Sequence, residues 1–238
     1  MLVKVDYIIN KKVKTMKKKL IVFFLLSTLI SICAQNKSKE SFEGIITYKI
    51  LFISKTNNVE YNDYQKQKNG EKLKIYILKN GSFKKEYLSS GEKGFDFIIY
   101  NSETNKSFVK WRNIDTTFIS NCSENNLVLE EEKDLPIEKI NGQECEGYFI
   151  SGIESKSGQK IALKYFYPKN KEYLNPIFYK NFKDGFYNNI IEKIKSPFYK
   201  MITETKNYTV IFEIEKIEKT VINPKLIEVP SGIPLKEM

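Results

Sequence analysis

The chain has 238 residues, of which 41% are hydrophobic, 29% charged and 13% aromatic; this suffices for one well-filled domain or at most two small ones and excludes a disordered, collagen-like or disulfide-dense chain. The formal charge of +10 is concentrated at one end: residues 1–34 hold seven lysines against Asp6, which leaves 32 basic and 28 acidic residues, about +4, for residues 35–238. Only Arg112 is an arginine, the side chain that bidentate readout of phosphate or guanine prefers, so no nucleic-acid partner is expected.

The chain opens with a leader pattern. Lys17, Lys18 and Lys19 form a positive n-region, Leu20 to Ile32 is apolar except for Ser27, Thr28 and Ser31, and Cys33-Ala34-Gln35 offers a cut after a small residue. Residues 16–34 therefore read as a secretory signal peptide, too short in its apolar run for the roughly 20 residues of a membrane-spanning helix. Residues 1–15 read as upstream sequence from a start placed too early, because Met16 directly precedes the lysines. Residues 35–238 are expected to be one domain, periplasmic or secreted after cleavage near Ala34. Ile32 stands where a lipoprotein signal wants a small residue, which disfavours acylation of Cys33. Membrane association would require that lipidation or a retained leader.

Beyond the leader, apolar residues recur every second position. Phe42, Ile46, Tyr48, Ile50 and Phe52 share one face opposite Thr47 and Lys49, which is the mark of a half-buried strand. Leu73, Ile75 and Ile77 repeat the pattern; Asn80-Gly81 follows as a hairpin turn in which both central residues take positive φ, and Ser82–Leu88 returns. Phe95, Phe97 and Ile99 give a further one-sided row, then Phe108–Trp111 and Ile114–Ile119. Asn141-Gly142 and Ser157-Gly158 punctuate strands at Gly147–Ser151 and Ile161–Tyr167. Tyr187, Ile190, Ile191 and Ile194 switch to helical spacing, bounded by Pro197. Val210, Phe212 and Ile214 return to strand, and Asn223-Pro224 with Pro230, Gly232 and Pro234 ends regular structure.

Few side chains suit catalysis. Histidine is absent, which removes the commonest general base, the commonest metal ligand and every Ser-His or Cys-His nucleophile pair. No catalytic, metal or cofactor-binding residue is predicted. Glu130, Glu131, Glu132 and Asp134, with Glu144 and Glu146, could support a hydrolase built on carboxylates only if two of them converge to about 5–9 Å; a solvated loop is the plainer reading of the run. Cys122 and Cys145 remain as an even pair. Either they form one disulfide closing a loop of about 24 residues, or they are two separate buried thiols.

Aromatics gather in one segment, with Tyr165, Phe166, Tyr167, Tyr173, Phe178, Tyr179, Phe182, Phe186 and Tyr187. One helix covers only part of a sheet's apolar face. These rings therefore either complete the core or border a cavity for an apolar ligand.

The parts resemble a known family. The leader ending in Ala34-Gln35, the strand Phe42-x-Gly44-x-Ile46-x-Tyr48-x-Ile50, the segment Ile140-Asn141-Gly142-Gln143-Glu144-Cys145, and the blocks Asn175-Pro176-Ile177-Phe178 and Ile194-Lys195-Ser196-Pro197 are similar to the Bacteroidetes GLPGLI family of exported proteins. More distantly the chain is similar to the DUF4412 proteins and the LolA-like lipoprotein-carrier fold. The motif Gly-Leu-Pro-Gly-Leu-Ile itself does not occur, and Gly142-Gln-Glu-Cys145 stands in place of the usual Gly-Tyr-Lys-Cys. The resemblance implies a mainly β fold, a curved antiparallel sheet forming an open half-barrel around one or two short helices, in a Gram-negative envelope. The expected function is non-enzymatic binding of an apolar ligand, a lipid or a lipidated protein, in the sheet concavity. The alternative is an interaction or structural module that contacts another envelope protein through a sheet edge or the aromatic segment.

Overall fold

The computed structural model describes residues 39–169 and 171–238. The leader, with Cys33 and the proposed cleavage point, lies outside the described residues. The two-residue alternation becomes a meander of six strands: β1 (Gly44–Ser54), β2 (Lys72–Ile77), β3 (Phe83–Leu88), β4 (Phe95–Asn101), β5 (Lys106–Trp111) and β6 (Thr117–Asn121). A second meander holds β7 (Leu127–Ile140), β8 (Gln143–Glu154), β9 (Lys160–Tyr167), β10 (Lys200–Glu204) and β11 (Tyr208–Lys219), and β12 (Leu235–Glu237) closes the series. Antiparallel pairing of β1 with β11 fuses the two meanders into one twelve-stranded sheet, ordered β12-β6-β5-β4-β3-β2-β1-β11-β10-β9-β8-β7. The fold is thus mainly β, a curved open sheet. Among the described residues the α-helices are α1 (Val59–Asn69) and α2 (Tyr187–Ile194).

Two Asn-Gly pairs make different turns. Asn141 and Gly142 both have positive φ, 48° and 79°, and join Ile140 directly to Gln143, the two-residue hairpin whose twist matches its strands. At Asn80-Gly81, only Gly81 is positive, at 84°. The Gly81 N–H donates to the Leu78 carbonyl at 2.9 Å and the Leu78 N–H to Ser82 at 2.9 Å, a three-residue loop with glycine in its left-handed position. The expectation of two positive φ values is corrected there.

The row Phe95, Phe97, Ile99 is also corrected. A bulge between Phe95 and Phe97 changes which face the side chain meets. Phe95 packs inside against Tyr87 and Trp111, ring centroids 5.1 and 5.5 Å away. Phe97 and Ile99 pack outside, under Ile222 and Ile227 of the C-terminal segment. That segment does not end regular structure: after a 3-10 turn at Pro224–Ile227 it adds β12 parallel to β6.

The acidic run is strand, not loop. β7 is the sheet's edge, so Glu130, Glu131, Glu132 and Asp134 lie exposed along a paired strand. Two bulges and Pro136 interrupt it, and such devices with charges protect an edge from pairing further. α1 lacks an apolar stripe and buries only Gln65; it forms because Asn58 Oδ1 accepts the Tyr61 N–H at 3.0 Å and Gly70 closes the other end.

Cys122 and Cys145 are free, buried thiols. Cys122 follows β6 and Cys145 lies in β8, strands with eight others between them in the sheet, so the disulfide alternative is corrected. Burial raises Cys122 to about 12 and Cys145 to about 11, which keeps both protonated and unreactive.

Candidate functional site

α2 lies against the concave face, where Ile190, Ile191 and Ile194 are buried at the spacing read from the sequence. Its lead-in is tied down by Lys183 N–H to the Cys122 carbonyl at 2.7 Å and Gly185 N–H to Asn125 Oδ1 at 3.2 Å. Phe186 is buried against the sheet at Gly152. Helix and sheet do not meet everywhere. A cavity of about 380 Å³ remains between them, within the range of small-ligand sites.

Strand register explains its walls. Inward residues fall in lateral rows, and one row runs Ile217, Ile46, Ile75, Lys85, Ile98, Val109, Phe118 across β11, β1, β2, β3, β4, β5 and β6. Leu163, Tyr165, Met201 and Phe212 supply the opposite wall, and Ile190 and Ile191 the roof. The neighbouring row carries Phe83, Tyr100, Ser107 and Ser120. The cavity walls are mostly apolar; on the β3–β6 side they carry Lys85, Ser107 and Ser120, and Asp184 borders the cavity from the lead-in.

Lys85 is the one charge in its row. Its amine lies 5.3 Å from the Phe83 ring centroid, and among the described residues it has neither an ion pair nor a hydrogen bond. Burial lowers it to about 8, with Asp184 pulling the other way. Asp184 keeps solvent exposure at the rim, yet its packed surroundings raise its carboxyl above the usual range, opposed by the Gly185 N–H and by Lys85. Tyr165 and Tyr187 also border the cavity. Burial raises both phenols, and their hydroxyls make no hydrogen bond among the described residues. Tyr48 instead donates to the Phe198 carbonyl at 3.0 Å and Tyr100 to Asn105 Oδ1 at 3.1 Å.

The aromatic segment divides between its two expected roles. Phe166, Tyr167, Tyr179 and Phe186 are core. Phe182 stacks on Tyr100 with centroids 4.4 Å apart and, with Tyr165 and Tyr187, borders the cavity.

The carboxylates do not converge there. Glu130, Glu131, Asp134 and Glu146 pair with Lys160, Lys133, Lys193 and Lys169 at 2.6–2.8 Å, and Glu132 accepts from the Tyr148 hydroxyl at 3.0 Å. Glu144 is exposed beside Cys145. Asp184 is the sole acidic side chain bordering the cavity among the described residues. Sequence reasoning missed Lys85, although the alternation Phe83, Lys85, Tyr87 places it on the inward face.

No protein-family model matches the chain. None of the curated proteins matches it either. Among solved structures, it is similar to a domain assigned to an outer membrane lipoprotein-sorting protein of Vibrio parahaemolyticus, with 10% identity over 77% of this chain and 89% of that one and a TM-score of 0.32. A likeness of that size carries no argument, and the fold stands on the chain's own strand pairing.

Proposed function

We propose that this chain is a non-enzymatic envelope protein that holds an apolar or lipid-like ligand in the concavity of its sheet. The observation that carries this reading is the cavity of about 380 Å³ left between the sheet and α2. Well-packed interiors keep few voids larger than a water molecule, so a space of this size with mostly apolar walls suits a ligand. The leader and the GLPGLI-like motifs support export to a Gram-negative envelope. The rival reading, an interaction module using a sheet edge, is disfavoured at β7 by Pro136, the two bulges and the exposed charges. A hydrolase needs a second acid beside Asp184.

The test is native mass spectrometry with solvent extraction on the chain purified from an export-competent bacterial host. Co-purifying lipid in stoichiometric amount is the expected result. A bare polypeptide that also takes up no added lipid sinks the reading, and a stoichiometric protein partner in its place favours the interaction module.

A further inference from the structure

We infer that the ligand is a single-chain amphiphile with a carboxylate head, anchored by Lys85 at the β3–β6 end of the cavity. This rests on the cavity reading above and names its ligand class. Three observations support it. First, Lys85 interrupts an otherwise apolar row of seven residues on the concave face. Lys85 is half-buried, and its Nζ lies 5.3 Å from the Phe83 ring with no hydrogen bond or ion pair among the described residues, so a partly desolvated cation lacks an acceptor. A bound anion would satisfy it. Second, two further polar side chains line the sheet wall on the β3–β6 side. Ser107 and Ser120 are cross-strand partners on β5 and β6, in the row beside that of Lys85, and both border the cavity. Their hydroxyls have no hydrogen bond among the described residues, so both can donate to a head group. From there the cavity runs toward Leu163 and Phe212, where no charge faces it.

Third, size and charge limit the head and the tail. Asp184 lies on the rim within electrostatic reach of Lys85 but forms no ion pair with it. One lysine partly offset by one aspartate suits a monoanion, whereas a phosphate monoester carries roughly −1.5 to −2 charges. The volume of about 380 Å³ is near the lower end of ligand sites, which suits one acyl chain. A long-chain carboxylate fits both this volume and the charge.

The experiment titrates the chain with cis-parinaric acid, a straight-chain fluorescent carboxylate, and with its methyl ester at pH 7. The wild-type chain should bind the acid roughly tenfold or more tightly than the ester, the contribution of one charge-assisted hydrogen bond. Lys85→Met keeps the stem and removes the charge, so it should abolish the preference for acid over ester. Equal affinity of the wild-type chain for acid and ester overturns the Lys85 assignment while the cavity reading stands, and this comparison needs no variant to fold. A preference that survives Lys85→Met also overturns it. Binding of neither probe overturns both readings, and extraction of a stoichiometric two-chain phospholipid overturns the single-chain head-group assignment alone.

Discussion

Ile190→Ala tests whether α2 is seated in the concavity. Ile190 is 1% exposed and borders the cavity. The substitution removes three carbons, which at about 0.8 kcal/mol each amounts to about 2.4 kcal/mol of lost transfer free energy. The space left behind adds to that, and fully packed isoleucines cost about 2–5 kcal/mol on truncation to alanine. Ile190 has almost no open surface of its own although it borders the cavity, so it loses nearly a full set of contacts. The expected loss is therefore about 2.5–3.5 kcal/mol, measured from urea unfolding followed by the fluorescence of Trp111, with an unchanged denaturant slope. Ile177→Ala is the control, since Ile177 is 60% exposed and its truncation should change stability by no more than about 0.5 kcal/mol. A loss below about 1 kcal/mol for Ile190→Ala, or one equal to that of Ile177→Ala, would refute the packing of this helix against the sheet.

Gly81→Ala forces a side chain into φ +84° with its Cβ 2.5 Å from Phe178 Cβ, so it should destabilise by about 1–3 kcal/mol in a thermal melt. Gly142→Ala has comparable φ strain but open space around it and should cost less; the reverse order would contradict the contact with Phe178. Cys122 and Cys145 should resist an aromatic disulfide reagent in the folded chain and react once it is unfolded, whereas a mass deficit of two hydrogens would show the bridge instead. Lys85 fixes a pH dependence: its folded value of about 8 lies below the unfolded value of about 10.4, so the unfolded state binds more protons between them and stability should rise with pH across that window. Lys85→Met should show a smaller rise, since burial also lowers Lys68, and should be more stable than the wild-type chain below pH 8, as urea midpoints at pH 7, 8, 9 and 10 will show. Above about pH 10 the tyrosines act oppositely, since burial raises Tyr48, Tyr165 and Tyr187 and the folded state then holds their protons longer.

Much of the sheet was legible because strands buried on one face write their period into the sequence. Phe42 to Phe52, Leu73 to Ile77 and Ile161 to Tyr167 each announce a strand, and the Tyr187 to Ile194 stripe announces α2. Where a segment has little apolar face to display, the signal disappears. β7 is an exposed edge, so its register comes from pairing with β8 and its residues read as a charge run. α1 is polar around its circumference, and only the Asn58 cap and Gly70 mark it. The outer packing of Phe97 and Ile99 depends on a bulge and on a C-terminal segment more than 100 residues away in sequence, and neither leaves a local pattern. The site was half legible. Its aromatic segment was visible as composition, whereas the polar end required the register that sets Ser107 opposite Ser120 and Lys85 between Ile75 and Ile98.

The cavity follows from the mismatch between a wide sheet and a short helix. Twelve strands span eleven spacings of about 4.8 Å, an arc of about 53 Å. α2 has eight residues, a rod about 12 Å long and about 10 Å across, which covers the width of roughly two strands. The lead-in and its rings, Phe182 and Tyr187 among them, cover more of the face, but they are fixed from their margins by Cys122 and Asn125 and cannot fill the centre. Closing a gap of about 380 Å³ would take several larger side chains along its walls, which would add buried apolar area. The sheet instead keeps medium-sized residues at these inward positions and a lysine at Lys85, which lowers the stability of the empty fold. A ligand that occupies the space and accepts from that lysine would return the missing stability on binding, in proportion to its free concentration over its dissociation constant. The feature that weakens the unoccupied sheet is therefore the same one that would give a carboxylate amphiphile its affinity.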